Sequence, residues 1–141
     1  MKPTILMITL LALTAGGTLR AQEHHGDSNA PLAARHIHIW VADVARTKAF
    51  YSAKLGLKVT NERAGEMVEF PGLWFGRWKG TGAIPTGGIT IGMGAKSVQA
   101  TSDALKKNGV NLPKPPGEAH GEWAFSFSDP DGYAIEVEGP K

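Results

Sequence analysis

The chain has 141 residues, with 15 Lys and Arg against 13 Asp and Glu, and it contains no cysteine. A chain of this length suits a single domain with one hydrophobic core. The lack of cysteine excludes disulfides and a lipid-anchored cysteine, and the near balance of charges predicts no nucleic-acid partner.

Residues 1–21 have the layout of a secretory signal peptide. Lys2 gives a cationic start, an apolar run extends from Ile5 to Leu13, and small residues follow it. This run is too short to span a bilayer, so we expect a periplasmic or secreted protein with no membrane attachment after cleavage. Cleavage removes Lys2 and Arg20 and leaves 13 residues of each charge. Residues 22–32 are polar and aperiodic, which predicts a flexible leader.

The domain predicted for residues 33–138 begins with one strand, one helix and three further strands. Alternating apolar residues predict the first strand at residues 36–41, and Asp43 is placed to cap a helix that runs to Leu55 and ends at Gly56. Three extended runs follow, at about residues 57–63, 66–70 and 73–79. These elements form a first module of about residues 33–80.

A second module of about residues 87–138 repeats this plan. A strand at residues 88–93 precedes a helix that Ser97 caps and Asn108-Gly109 ends. The extended runs that follow lie at about residues 111–118, 122–128 and 133–138. The last of them comes after a type I turn, Asp129-Pro130-Asp131-Gly132, and its alternation directs Glu136 and Glu138 to the face opposite the apolar residues.

The residues of both modules carry a resemblance to a known family. The string from His36 to Asp43, then Phe50-Tyr51, Leu55-Gly56-Leu57 and the SDPDGYAIEVE ending, resembles the vicinal oxygen chelate superfamily of glyoxalases, bleomycin resistance proteins and extradiol dioxygenases. The resemblance implies an α+β fold of two paired βαβββ modules whose mixed sheets form a cup. It also implies a homodimer and, in many members, a divalent metal in the cup.

The resemblance implies metal ligands on the first and last strand of each module. His36 matches the first-strand position of the first module, and Glu136 matches the last-strand position of the second. The other two matching positions are Gly88 and Gly76, which have no side chain to offer. Half of the usual ligand set is therefore missing.

A neighbouring histidine offers a replacement ligand. Because strand side chains alternate, His36 and His38 share one face, and with Glu136 they would give two imidazoles and one carboxylate. Such a set suits Fe²⁺, Mn²⁺, Ni²⁺ or Zn²⁺. The alternative stays open that both histidines line a polar pocket, with His36 hydrogen-bonded to Glu136 and no ion present.

Two function hypotheses follow from these residues. In the first, an exported enzyme of the glyoxalase or dioxygenase kind uses a metal to polarise a vicinal-oxygen substrate, with Glu138 as a general base or, alternatively, a surface charge. Because two of the ligand positions are glycine, true lactoylglutathione lyase activity is not expected. In the second, a metal-free protein of the bleomycin-resistance kind binds or sequesters a small molecule in a cavity lined by Trp40, Trp74 and Trp78.

His120 lies in a loop. It is a further candidate for contact with the substrate, or else a surface histidine.

Overall fold

The computed structural model of the protein describes residues 35–119 and 121–141. The predicted signal peptide, the predicted leader and His120 lie outside these residues. Among the described helices, none combines the length and the apolar character needed to cross a bilayer.

The first module folds as one four-stranded mixed sheet with one helical segment. Strand β1 (Ile37–Val41) lies beside and parallel to the last strand of the module, and the sheet order is β1-β4-β3-β2. The remaining elements are α1 (Val44–Ala49), a π-helical turn (Phe50–Lys54), β2 (Asn61–Arg63), β3 (Met67–Phe70) and β4 (Leu73–Arg77).

The second module repeats this topology, with the order β5-β8-β7-β6 and with β5 parallel to β8. Its elements are β5 (Thr90–Gly94), α2 (Val98–Lys107), β6 (Gly117–Ala119), β7 (Glu122–Ser128) and β8 (Ala134–Gly139). The predicted α+β fold of two βαβββ modules with mixed sheets is confirmed.

The two predicted helix starts are confirmed, and one helix differs in its second half. The Asp43 carboxylate accepts hydrogen bonds from the backbone N–H groups of Ala45 and Arg46, at 2.9 and 3.0 Å. Ser97 caps α2 by accepting from the N–H of Ala100 at 3.3 Å. The predicted continuous helix to Leu55 is α-helical only to Ala49, after which the wider π-helical turn carries the fully buried Tyr51.

Two of the predicted strands are much shorter than expected. The run at residues 57–63 pairs only from Asn61, because Leu57 and Val59 pack against the core as a loop. The run at residues 111–118 pairs only from Gly117, since the prolines at 113, 115 and 116 have no N–H to donate to a ladder.

One hydrophobic core joins the two modules. The inner faces of both sheets and the helices contribute to it, and its buried members are Ile39, Val41, Val44, Tyr51, Val68, Phe70, Phe75, Ile91, Val98, Leu105, Val110, Phe125, Phe127, Tyr133, Ile135 and Val137. Because these side chains occupy one face of each sheet, the opposite face of each sheet stays open. Phe125 and Phe127 of β7 are buried in this core, and Trp123 packs against it partly buried.

Candidate functional site

The open face of the first sheet carries two rows of side chains that cross all four strands. Residues that pair across a sheet point to the same face, so the register defines each row. The first row is His38, Trp74, Glu69 and Asn61, and the second is Trp40, Gly76, Met67 and Arg63. The opposite face of the same strands holds the buried residues Ile39, Val68 and Phe75.

Aromatic stacking organises this face. The His36 ring lies 3.5 Å from the Trp74 ring, centroid to centroid, and the two planes differ by 6°. The His38 and Trp40 rings stack at 4.5 Å, and Trp78 meets Trp40 edge-on at 6.3 Å. The structure therefore brings the three predicted tryptophans and both predicted histidines onto one face, as the sequence suggested, while their roles in binding stay predictions.

Gly76 makes room for these rings. A Cβ atom at this position would lie 2.5 Å from His38 Nε2 and 3.1 Å from the Trp40 ring. The position that the resemblance matches to a metal ligand is thus covered by an imidazole and an indole. Beside it lies a cavity of about 150 Å³, lined by His38, Trp40, Arg63, Glu66, Met67, Gly76, Arg77 and Lys79.

The open face of the second sheet has small and polar side chains. Glu136 is half-buried there and pairs across the sheet with Gly92 on one side and Ser126 on the other. Glu138 is exposed, on the same face, between Gly94 and Ala124. Gly88, the other glycine at a ligand position, lies before β5 with a φ of 80°.

The predicted metal-ligand set of His36, His38 and Glu136 does not form within the described residues of a single chain. His36 and His38 lie on the first sheet, whereas Glu136 lies on the second. In residues 35–119 and 121–141, no group of three or more His, Cys, Asp or Glu side chains is arranged to hold a metal ion. Both imidazoles are instead stacked on indoles, so the residues of a single chain do not fit the metal that many superfamily members use.

The SDPDGYAIEVE ending joins the modules through its turn. Asp129 accepts from the N–H groups of Asp131 and Tyr133, each at 2.9 Å, and from the Tyr51 hydroxyl at 3.1 Å. Burial raises the pKa of the Asp129 carboxyl, although these donors oppose the shift. Burial and the nearby Asp129 also raise the pKa of Tyr51. Asp131 accepts from Arg46 at 2.8 Å, so this turn fixes the two modules together.

Four residues of the two rows were missed by the sequence predictions, namely Asn61, Arg63, Met67 and Glu69. The apolar alternation of Val68 and Phe70 would have placed Met67 and Glu69 on the face opposite the core. Nothing local to Arg63 pointed to the site, because its position depends on the pairing of β2 with β3.

The sequence model of the Glyoxalase/Bleomycin resistance protein/Dioxygenase superfamily matches residues 33–137. The chain belongs to this superfamily. A search of curated proteins gave no match.

Several solved structures resemble this superfamily member. A protein of unknown function from Agrobacterium tumefaciens str. C58 is 28% identical over 77% of this chain and 94% of its own, with a TM-score of 0.66. Lactoylglutathione lyase from Agrobacterium tumefaciens is 17% identical over 77% and 94% of the two chains, with a TM-score of 0.63. TnmS3, an antibiotic binding protein from Streptomyces sp. CB03234, is 20% identical over 79% and 98%, with a TM-score of 0.66.

Proposed function

We propose that this superfamily member is a small-molecule binding protein that holds a flat aromatic ligand on the open face of its first sheet. One observation carries this proposal: Trp40 lines a cavity of about 150 Å³ on that face, Trp74 lies on the neighbouring strand and Trp78 meets Trp40 edge-on at 6.3 Å. Flat π-systems stack on indole at a modest entropy cost, since a Trp side chain has few rotatable bonds. An antibiotic binding protein shares the fold, so the fold is compatible with binding alone.

Titration with 2-naphthamide, a flat and neutral probe, tests this proposal. The indole N–H signals of Trp40 and Trp78 should shift in two-dimensional NMR spectra, while that of Trp123 should stay in place. Trp123 suits this control because it lies on the core face of the second sheet, with the Lys141 ammonium 4.3 Å from its ring centroid.

Variants add a quantitative measure of the same binding. Trp40→Ala should weaken the affinity for 2-naphthamide about three- to tenfold, the range expected for loss of one aromatic contact. Trp123→Phe should leave the affinity unchanged. Equal weakening by both variants, or no shift of the Trp40 and Trp78 signals, would contradict binding at this face.

Metal-assisted activity is the second candidate, and the shared face of His36 and His38 favours it. A set that includes Glu136 would need a second copy of the chain, because the two sheets of one chain keep these residues apart. Metal content after exposure to Ni²⁺, Zn²⁺, Fe²⁺ or Mn²⁺ should then be stoichiometric in the wild type and absent in a His36→Ala/Glu136→Gln variant. Equal metal content in the two proteins rules this candidate out. The proposed role of Glu138 as a general base depends on this metal-assisted activity.

We propose that the protein forms a homodimer. Large apolar side chains remain exposed on or near the outer strands of both sheets: Ile37 is 57% exposed and Ile89 41%. They adjoin β1 and β5, the edge strands of the two sheets, and an edge strand presents unpaired backbone groups to a second chain. Light scattering should give the mass of two chains, and an Ile37→Lys/Ile89→Lys variant should give the mass of one.

Export to the periplasm or medium is likewise proposed, on the strength of residues 1–21. The mature protein isolated from either location should begin at residue 18 or 22, after cleavage beyond Gly17 or Ala21. A protein that retains Met1 and stays in the cytoplasm would contradict export.

A further inference from the structure

We infer that the ligand of the first sheet is an aromatic acid, with its ring over Met67 beside Trp40 and its carboxylate held by Arg63. This inference rests on the proposed function, since it assigns a chemical class to the ligand of the same face. It goes further because it makes charge, in addition to flatness, a condition for binding.

The second row of residues on the open face sets the order and spacing of the ligand contacts. Trp40, Gly76, Met67 and Arg63 lie on neighbouring strands in this order and point to one face. Strands are about 4.8 Å apart, so the backbone of Arg63 lies roughly 14 Å from that of Trp40. Between these two ends the row has only a glycine and a methionine. The surface is therefore aromatic at one end, apolar in the middle and cationic at the other end.

The size of the cavity fits an aromatic ring. Its volume is about 150 Å³, and apolar cavities of about this volume take up benzene. Met67 is half-buried and offers a polarisable thioether, which contacts aromatic rings favourably. A ring in this cavity would lie over Met67, next to the His38 and Trp40 rings that cover Gly76.

The charge around the cavity is positive. Three cationic side chains line it, Arg63, Arg77 and Lys79, against one carboxylate, Glu66. Lys79 contacts Glu66 at 2.8 Å and Arg77 lies 3.7 Å from it. Lys79, and to a smaller extent Arg77 and Arg63, lower the pKa of Glu66, so this carboxylate stays ionised and holds its partners. Within the described residues, Arg63 makes no ion pair of its own.

Arg63 is suited to the role of anion ligand. Its guanidinium presents donors in a planar fork that matches a carboxylate with two parallel hydrogen bonds. It belongs to the short, exposed edge strand β2, where its side chain can reach over Met67. The carboxylate of Glu69 in the adjacent row accepts a hydrogen bond from the Asn61 amide at 3.1 Å, which directs that acid away from the cavity.

A matched pair of probes tests the inference. 2-Naphthoate and 2-naphthamide have the same rings and differ in charge, and both are titrated against the full-length mature protein by calorimetry and by the NMR assay of indole signals. We expect 2-naphthoate to bind at least tenfold more tightly at low salt, because hydrogen bonds to charged groups are about twice as strong as neutral ones. Added salt should reduce this advantage.

Variants locate the charge that is responsible. Arg63→Gln should bring the affinity for 2-naphthoate down to that for 2-naphthamide and leave the latter unchanged, while Arg63→Lys should keep part of the preference. Lys107→Gln, which removes an exposed cation on α2 outside the cavity, is the control and should change neither affinity.

The possible results separate the inference from the proposed function. If both probes bind with the same affinity, or if Arg63→Gln weakens both equally, the aromatic-acid inference is wrong and the aromatic binding face stands. If neither probe binds, the proposed function is wrong and the inference is overturned with it. A preference for 2-naphthoate that survives Arg63→Gln overturns the assignment of the carboxylate to Arg63.

Discussion

Gly76 shows how a single residue changes the chemistry of a superfamily site. The resemblance matches this position to a metal ligand, and glycine has no side chain to supply one. Here the space above Gly76 is filled by the His38 imidazole and the Trp40 indole, whose rings stack at 4.5 Å. Any side chain at position 76 would push against these rings, so the glycine and the aromatic residues form one arrangement.

A Gly76→Ala variant tests this arrangement. We expect the new Cβ atom to displace His38, which is exposed and able to rotate, at a cost of about 1 kcal/mol or less, but to weaken binding of 2-naphthamide. Gly92→Ala is the matched control, because an added Cβ there meets nothing within 4 Å. Urea unfolding and the NMR titration measure the two effects. Unchanged binding by Gly76→Ala would show that the ligand does not use this space.

At the scale of the element, the acids of the predicted turn before β8 have a structural role. The carboxylate of Asp129 is buried and closes the turn by accepting from two backbone N–H groups. The N–H of Gly132 completes it by donating to the Asp129 carbonyl at 3.1 Å. The acids of the turn therefore shape the start of β8, and only Glu136 and Glu138 lie on the open face.

Substitution of Asp129 should change how stability depends on pH. Burial raises the pKa of Asp129 in the folded protein, so this group stabilises the fold most when protonated, and that contribution is lost as pH rises through the raised pKa. Asp129→Asn keeps an acceptor oxygen and never ionises. We therefore compare the free energy of unfolding of Asp129→Asn with that of the wild type. The variant should gain stability relative to the wild type as pH rises from the ordinary carboxyl pKa to the raised pKa of Asp129.

Urea unfolding at a series of pH values measures this difference. Asp103→Asn is the control variant: it removes one carboxylate at an exposed position of α2 and so reports the effect of changing the net charge alone. A difference that stays constant, or that falls as pH rises, would contradict the expected sign.

At the scale of the whole molecule, polar contacts join the modules at the edge of the shared core. Asp131, whose side chain is 2% exposed, accepts from the N–H of Ala42 at 3.0 Å and from Arg46 at 2.8 Å. The Tyr133 hydroxyl donates to the Trp40 carbonyl at 2.7 Å. These bonds tie the end of the second module to the strand that carries His38 and Trp40, so the open face depends on both modules.

Removal of Asp131 should weaken this junction. Asp131→Ala leaves the donors of Ala42 and Arg46 without their acceptor, and we expect a loss of about 1 to 3 kcal/mol in the free energy of unfolding. Glu62→Ala breaks a surface pair with Lys48, in which both side chains are more than a third exposed, and should cost about 0.2 to 1 kcal/mol. Similar losses in the two variants, measured by urea unfolding, would show that the Asp131 contacts do not hold the modules together.

Local patterns alone predicted much of the fold. The alternation in β1 and β8, the caps at Asp43 and Ser97 and the turn at Asp129 each depend on residues close in sequence, and the structure confirms them. The predicted strand at residues 111–118 was too long, because Pro113, Pro115 and Pro116 have no N–H to donate and pairing begins only at Gly117. The string from His36 to Asp43, taken together with the SDPDGYAIEVE ending, was enough to identify the superfamily.

Only the tertiary structure decided which residues meet on the open face. The sequence determined that Trp40, His38 and Trp74 point away from the core, because a strand has a period of two. It did not determine that Arg63 and Met67 continue the row of Trp40, since that depends on strand pairing between separate elements. Nor did it determine whether Glu136, predicted in the other module, comes close to the two histidines, because distances between elements far apart in sequence are fixed by packing alone.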